Sequence, residues 1–334
     1  MLGVIFVLVV IGAISGIYVW NYIHAPFKGE ESRWIYLPTG TKRAALADSL
    51  KSALGDETGS RVFSVYCAVA NDSAAIRGAY LIKPGTTAKD IARTLISRNQ
   101  TPVRVTFISV RTLEVLAERL DAQLDMSASD FLDACQRVLP SAGFSAREQY
   151  PAAFIPDTYE FYWDASADKV VSRLLQERNN FWNDERRAKA KALGLNPVKV
   201  ATIASIVADE TKDPEERKTV ARLYLNRVHK NMLLQADPTV KFALGDFSLR
   251  RILNKHLTVD SPYNTYKYPG VPPGPISIPE KSVLLAVLDA PHHDYLYMCA
   301  RPDHSGLHNF STTYSQHLVN ARKFQKWLNS RKIF

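Results

Sequence analysis

An uncharged apolar run near the N-terminus constrains this 334-residue chain more than any other feature. Residues 2–23 contain no Asp, Glu, Lys or Arg, and about 20 apolar residues in a helix are enough to cross the hydrocarbon core of a membrane. Trp20 and Tyr22 lie at its end, where aromatic residues meet the membrane surface. We therefore predict a transmembrane anchor over residues 1–25. A cleaved signal peptide is the alternative, but the run is long and no small-residue cleavage site follows it.

The rest of the chain is predicted to be one tethered soluble body, because no second apolar run is long enough to span a membrane. Its net charge of +9 favours an anionic partner: a membrane surface, a nucleic acid or an acidic cell-wall polymer. A nucleic acid is disfavoured because no Lys/Arg-rich block with interleaved aromatic residues occurs. Cys67, Cys135 and Cys299 are too widely spaced for a metal-type pair or a disulfide framework. We expect them to be small buried thiols.

A weak internal repeat follows the apolar run. The segments IYLPTGT, at residues 35–41, and YLIKPGT, at residues 80–86, are offset by 45 residues, and each precedes leucines or isoleucines at helical spacing. Each copy is typical of a strand, a turn and a short amphipathic helix. The repeat therefore favours an α+β fold built from small modules. It carries no chemistry of its own, and a generic scaffold would show the same pattern.

Residues 154–163 read FIPDTYEFYW and are dense in aromatic side chains. Aromatic rings in such a segment either stack on sugar rings or pack in a core, and for any single ring we favour the core. Further on, the loops around residues 234–240, 261–266 and 269–276 are rich in Pro, Gly, Asn and Tyr. Loops of this composition are stiff and suit the walls of a ligand site.

Glu210 is the residue most suggestive of chemistry. Asn196 and Pro197 are good helix-start residues, and a helix beginning there places Glu210 on the same face as Ile203 and Ile206. A carboxylate on an apolar face is costly unless it is paired or its pKa is raised. Asp209, one residue earlier, is expected to point toward solvent. The alternative is structural: an ion pair between Glu210 and an arginine of the next helix, predicted over residues 214–230. The candidates are Arg217 and Arg227.

Glycoside cleavage fits the set of Glu, Asp, Asn, Gln and Tyr side chains that recurs here, because no nucleophile elbow, phosphate loop or HExxH motif is present. Most glycosidases use two carboxylates. Only Glu210 lies on an apolar face, and Asp237, predicted to be in a loop, is the other candidate. A single buried acid favours a mechanism in which the substrate supplies the second group. Metal binding by His304 and His308 is disfavoured, because the segment between them is predicted to be a turn before a strand.

Seven segments of the C-terminal half resemble, in order, those of the endolytic murein transglycosylases of the MltG (YceG-like) family. They are FIPDTYEFYW, IASIVADET, VARLYLNRV, LLQADPTV, SPYNTY, PGVPPGPISIP and HNFSTTYSQH. The resemblance implies an N-terminal transmembrane helix, LysM-like modules over residues 30–75 and 76–145, and a mixed α+β catalytic domain over residues 146–334.

The resemblance also implies roles for individual residues. The family motif usually carries two glutamates, Val-Glu-x-Glu-Thr; the first is Ala208 in this chain, and the second, the family's catalytic residue, matches Glu210. Positions implied to bind substrate are Tyr224, Asn226, Gln235, Asp237, Asn264 and Tyr266. His308 and His317 match family positions as well, but the resemblance gives them no role.

The implied reaction is non-hydrolytic cleavage of the β-1,4 bond between N-acetylmuramic acid and N-acetylglucosamine in nascent peptidoglycan. It leaves 1,6-anhydro ends, uses Glu210 as general acid and then base, and needs no metal or organic cofactor. The family context implies peptidoglycan synthases as partners and the extracytoplasmic side of the inner membrane as the location. The alternatives are a hydrolytic muramidase, in which Asp237 activates water, and a non-catalytic peptidoglycan-binding protein.

Overall fold

The computed structural model describes residues 2–70, 76–249 and 251–331, and it confirms a mixed α+β architecture. The helices are α1 (Leu2–Ile23), α2 (Arg43–Leu54), α3 (Asp56–Val69), α4 (Ala88–Ile96), α5 (Leu113–Asp121), α6 (Ala128–Val138), α7 (Ala167–Phe181), α8 (Asp184–Ala192), α9 (Pro197–Glu210), α10 (Pro214–His229), α11 (Asp237–Leu244), α12 (Lys281–Leu288) and α13 (Tyr314–Ser330). The strands are β1 (Arg33–Thr41), β2 (Ile76–Ile82), β3 (Val103–Phe107), β4 (Asp157–Phe161), β5 (Tyr297–Ala300) and β6 (His308–Ser311).

The predicted apolar helix is confirmed. Within α1, residues Val4–Ile23 form a helix that is long and apolar enough to cross a membrane, and none of it is buried inside the protein. Helices α8 and α9 reach a comparable apolar length only when taken together, and a bend of 74° separates them. Because α9 is buried among protein side chains, its apolar composition is that of a core helix.

The chain folds into two compact units. The first contains Met1–Val105, Leu120–Met126 and Tyr159–Ser166, and the second contains Thr106–Arg119, Ser127–Thr158 and Ala167–Phe334. The second unit holds every residue that the sequence proposes for catalysis or substrate binding.

In the first unit, the strands of the two predicted repeats pair with each other. Strands β1 and β2 are antiparallel, with Ile35 opposite Tyr80. The alternating pattern of β1 turns Ile35 toward a core that also receives Leu46 and Leu50 from α2 and Leu95 from α4. The two repeats therefore share one sheet and one hydrophobic core. The limits of the LysM-like modules stay predictions.

In the second unit, α9 lies in the core and packs against α10 and α12. It begins as the sequence predicts: the Asn196 side-chain oxygen accepts a hydrogen bond from the Lys199 amide at 2.9 Å, and Pro197 occupies the first turn. The apolar positions of the helix are fully buried: Val200, Ile203, Ile206 and Val207. Burying each such side chain stabilises the fold by about 1.5–3 kcal/mol, which fixes the position of the helix end.

The C-terminal part of the second unit is a hairpin followed by a helix. Strand β5 pairs antiparallel with β6, with Met298 opposite Phe310, and α13 packs against both strands. Strand β5 starts at Tyr297, and the closing helix begins at Tyr314. The Thr313 hydroxyl, which accepts from the Gln316 amide at 3.3 Å, caps that helix and sets its start.

The aromatic segment 154–163 contributes mainly to core packing. Phe154, Tyr159 and Phe161 are buried, whereas Tyr162 is exposed. Of the three cysteines, Cys135 is buried as predicted, whereas Cys67 and Cys299 are half-buried; all three are free thiols.

Candidate active site

A pocket of about 340 Å³ opens at the C-terminal end of α9. Helices α9, α10 and α11, the loop before α11 and the loop before α12 contribute six residues: Glu210, Tyr224, Arg227, Gln235, Asp237 and Tyr266. The β5–β6 hairpin and α13 contribute Met298, Cys299, Ala300, His308 and His317. Five of the seven predicted site residues therefore meet in one pocket, as do the two histidines that match family positions.

Glu210 is the last residue of α9, and its carboxylate lies in the pocket. Burial raises the pKa of this carboxyl to about 7, the Tyr224 hydroxyl bonded to it acts in the opposite direction, and the nearby Asp237 and Asp209 charges raise the pKa further. A carboxyl group with that pKa is protonated in a large fraction of molecules near neutral pH. It can therefore act as a general acid and, once ionised, as a base.

Tyr224 orients the Glu210 carboxyl group. It lies on α10, is almost fully buried, and its hydroxyl donates to Glu210 Oε1 at 3.0 Å. Burial, together with the neighbouring Glu210 charge, raises the pKa of the Tyr224 hydroxyl well above its ordinary value. Tyr224 therefore stays a neutral hydrogen-bond donor at every pH at which Glu210 titrates.

Asp237 and Tyr266 form a second hydrogen-bonded pair in the pocket. The Tyr266 hydroxyl donates to Asp237 Oδ1 at 2.6 Å, and burial raises the pKa of Tyr266. The prediction that Asp237 lies in a loop was wrong, because Asp237 is the first residue of α11. An acidic residue followed by proline suits the first turn of a helix, where free amide groups favour a carboxylate.

Gln235 enters the pocket from a strained backbone. Its φ angle is 51°, in the left-handed region that non-glycine residues rarely adopt. The main-chain amide of Gln235 donates to the Thr265 carbonyl at 3.1 Å, and the side-chain oxygen of Gln235 accepts from Arg227 Nη1 at 3.2 Å. These contacts hold the backbone in place and direct the side-chain amide into the pocket.

The structural alternative for Glu210, an ion pair with Arg217 or Arg227, is not formed within the part of the chain that the structure describes. Arg227 donates to the carbonyls of Leu296, at 2.6 Å, and Leu234, at 3.0 Å. Arg217 donates to the Ser282 hydroxyl at 3.3 Å. The Arg227 guanidinium thus ties α10 to the hairpin and to the Gln235 segment, and it lines the pocket without neutralising Glu210.

Asp209 does not simply point to solvent as expected. Its carboxylate accepts a hydrogen bond from Arg111 Nη1 at 2.6 Å, and its side chain is 18% exposed. Asp209 is therefore used in an ion pair with Arg111 and does not line the pocket. Glu210 is the carboxylate of α9 that lines it.

The structure does not bring Asn226 and Asn264 to the pocket. The Asn226 side-chain nitrogen donates to the His293 carbonyl at 2.6 Å. Asn264 is fully buried, and its side-chain nitrogen donates to the carbonyls of Leu257, at 2.9 Å, and Val259, at 2.8 Å. Both amides are therefore used to shape the backbone around the pocket, and neither is free to contact a ligand.

The hairpin wall of the pocket is the part that the residues alone did not predict. Met298, Cys299 and Ala300 line it from β5, and burial raises the pKa of the Cys299 thiol. His317, from α13, stacks on Tyr297 with ring centroids 5.6 Å apart. The segment HNFSTTYSQH was the available signal, since it contains both pocket histidines. His304 packs on Trp327 outside this pocket.

Comparison with known proteins places the chain in a family. The profile of the YceG-like family matches residues 35–323. An endolytic murein transglycosylase of Bacillus subtilis (strain 168) is 34% identical over 177 residues, covering 53% of this chain and 47% of the relative. An endolytic murein transglycosylase of Streptococcus pneumoniae serotype 2 (strain D39) is 25% identical over 296 residues, covering 79% of this chain and 53% of the relative. The chain thus spans about half the length of these curated relatives.

A solved structure has the same fold. The crystal structure of a YceG-like protein from Listeria monocytogenes matches with a TM-score of 0.57 and 26% identity, covering 87% of this chain and 99% of that one. The family profile covers most of the chain, including parts of both units and the pocket that contains Glu210. The chain belongs to the YceG-like family.

Proposed function

We propose that this protein is a lytic transglycosylase that cleaves the β-1,4 bond between N-acetylmuramic acid and N-acetylglucosamine in peptidoglycan strands. The observation that carries the proposal is the Glu210 carboxyl group, which lies in a pocket, accepts from Tyr224 and has a pKa raised to about 7. The names of the similar proteins, endolytic murein transglycosylases, support the choice of substrate.

In the first step, protonated Glu210 donates its proton to the glycosidic oxygen, and the bond from that oxygen to the anomeric carbon of the muramic acid breaks. Positive charge then develops on the anomeric carbon. The carbonyl oxygen of the substrate's own N-acetyl group stabilises that charge. The Tyr224 hydroxyl, at 3.0 Å from Glu210 Oε1, stabilises the carboxylate that the proton transfer leaves behind.

In the second step, ionised Glu210 accepts the proton of the C6 hydroxyl of the same muramic acid. The C6 oxygen forms a bond to the anomeric carbon, which gives the 1,6-anhydro ring. Glu210 is thereby returned to its protonated form, so no water is consumed and no other base is required. A group that must act as acid and then as base works best with a pKa near the working pH, and a value of about 7 meets that requirement.

Asp237 and Gln235 serve as substrate-binding groups in this proposal. The Asp237 carboxylate accepts from Tyr266 at 2.6 Å, which fixes its orientation in the pocket. The side-chain amide of Gln235 lines the same pocket and suits the hydroxyl and N-acetyl groups of a sugar. The presence of Asp237 beside Glu210 is also the observation that favours a hydrolytic muramidase, in which Asp237 would activate a water.

We further propose that α1 anchors the protein in the inner membrane, with the chain after α1 on the extracytoplasmic side. The length and apolar surface of the helix support this assignment. The LysM-like regions predicted over residues 30–75 and 76–145 would then hold glycan strands, and peptidoglycan synthases would supply them. A non-catalytic binding protein remains as the alternative from another class.

The test is a digest of purified, uncrosslinked glycan strands by the full chain in detergent. We expect the wild type to release fragments with 1,6-anhydro ends, and Glu210→Gln to release none. The matched control is Glu215→Gln, because Glu215 is exposed in the first turn of α10 and lies outside the pocket. Mass spectrometry distinguishes the outcomes, since hydrolysis adds one water to each product.

Normal cleavage by Glu210→Gln would show that another group is the acid. Products that carry the added water would favour the muramidase. Strand binding without any cleavage by the wild type would favour the non-catalytic alternative.

A further inference from the structure

His308 lies on the hairpin wall of the pocket, and a buried carboxylate holds its ring. Both oxygens of Glu216 are used: Oε1 accepts from the His308 main-chain amide at 2.7 Å, and Oε2 contacts the ring nitrogen Nδ1 at 3.0 Å. The Glu216 side chain is only 6% exposed, and its own position in α10 is set by Asp213, which caps that helix. The imidazole is therefore held in one orientation by a carboxylate of α10.

The carboxylate also selects which ring nitrogen carries the proton. A carboxylate can only accept hydrogen bonds, so Nδ1 of His308 must be the donor in the neutral ring, and Nε2 is then an acceptor. Nε2 makes no hydrogen bond to the residues that the structure describes, and His308 lines the pocket that contains Glu210. The pair thus presents an oriented acceptor to whatever occupies the pocket.

A purely structural role needs less than this arrangement provides. The bond from Glu216 to the His308 main-chain amide already ties β6 to α10. The second bond, to the ring nitrogen, also fixes the ring and its proton. A carboxylate that accepts from one ring nitrogen fixes the orientation and tautomer of the imidazole and leaves the other nitrogen for a ligand.

We propose that His308 Nε2 accepts a hydrogen bond from a sugar hydroxyl of the bound glycan strand, and that Glu216 is the positioning residue that keeps Nε2 in the acceptor form. The inference rests on the proposed function for the nature of the ligand. It assigns a substrate contact to the hairpin wall, in addition to the helices that provide the acid.

Three substitutions separate substrate contact from structure. His308→Asn keeps a side-chain amide near the position of Nδ1, so the bond to Glu216 is retained while the far nitrogen is lost. His308→Gln reaches the position of Nε2 but gives up the bond at Nδ1. Glu216→Gln still accepts from the His308 amide but donates to Nδ1, so the proton moves to Nε2 and the acceptor becomes a donor.

The measurement is the Kd for purified, uncrosslinked glycan strands, in the Glu210→Gln background so that no cleavage occurs. Loss of one neutral hydrogen bond should raise the Kd about three- to tenfold in His308→Asn and in Glu216→Gln. His308→Gln should recover part of the loss. The two single effects should not add in the double variant, because both act through one contact. In the cleaving protein, the same variants should raise KM and leave kcat nearly unchanged.

The matched control is His304→Asn, on the connection between the same two strands. His304 lies outside the pocket and has a φ angle of 60°, which asparagine tolerates. It should bind glycan strands as the background protein does. Wild-type affinity in His308→Asn and Glu216→Gln would overturn the inference, and so would a loss that His304→Asn shows equally. Since binding is measured without turnover, a failure of the proposed cleavage reaction would be seen separately in the digest.

Discussion

Replacing Glu210 with glutamine should stabilise the protein at alkaline pH but much less at acidic pH. The pKa of Glu210 is raised from its ordinary 4.5 to about 7, mainly by burial. Well below pH 4.5 the Glu210 carboxyl is protonated in both the folded and the unfolded chain, so it does not lower the free energy of unfolding. As the pH rises toward 7 the unfolded chain ionises first, so stability is lost across that interval and is not regained above it. Glutamine never ionises, and its oxygen can still accept from Tyr224.

The size of the effect follows from the same shift. Between pH 5 and pH 8, the free energy of unfolding of Glu210→Gln relative to the wild type should increase by about 2 to 3 kcal/mol. Urea unfolding of both full chains in detergent, at the two pH values, gives the free energy of unfolding of each. The variant-minus-wild-type difference is then compared between pH 5 and pH 8. Titrations of all other groups cancel in it, provided that they are the same in both proteins.

The control is Glu215→Gln, a substitution of the same chemistry at an exposed position, measured at the same two pH values. If the difference between Glu210→Gln and the wild type changes by less than about 0.5 kcal/mol, the size of an ordinary surface effect, burial does not raise the pKa of Glu210. The acid role would then lose its physical basis even if the enzyme were active.

Two further outcomes follow from the hydrogen bonds of the site. Tyr224→Phe removes the donor that lowers the pKa of Glu210, so the alkaline limb of the kcat/KM profile should move up by about 1 to 2 pH units; an unmoved limb would contradict the assignment of Glu210 as the acid. Asn264→Ala leaves the carbonyls of Leu257 and Val259 without their donors and should lower the free energy of unfolding by about 3 kcal/mol. Weaker glycan binding at unchanged stability would instead make Asn264 a ligand residue.

The sequence predicts α9 well because several local signals agree there. The cap at Asn196, the proline after it and the apolar residues at steps of three and four all favour one helix in one position. Glu210 then follows from geometry alone. The helix α11 was missed because it has only eight residues and follows a segment rich in polar residues, so its apolar period is too short to recognise.

The asparagines show a different limit. Asn226 and Asn264 are polar residues in motifs shared with a family of enzymes, but their amides bond to main-chain carbonyls. Sequence pattern does not distinguish an amide that binds a ligand from one that shapes a loop, because both need a buried polar group with satisfied partners. The hairpin wall could not be predicted from the sequence for another reason. His308 and Glu216 are 92 residues apart in sequence, and a contact of this kind depends on tertiary structure.

Glu210 is the final residue of its helix, and this placement has its own electrostatic consequence. The C-terminal end of a helix carries partial negative charge from its free carbonyl groups, which disfavours an ionised carboxylate by about 0.3 to 1 kcal/mol. Lys212 offsets part of this, since its ammonium group donates to the Ala208 carbonyl at 2.7 Å. The proton affinity of the acid is therefore coupled to the point at which the backbone leaves the helix. A change in the residue at which the helix ends would therefore change the pKa of Glu210 even if the residues that line the pocket stayed the same.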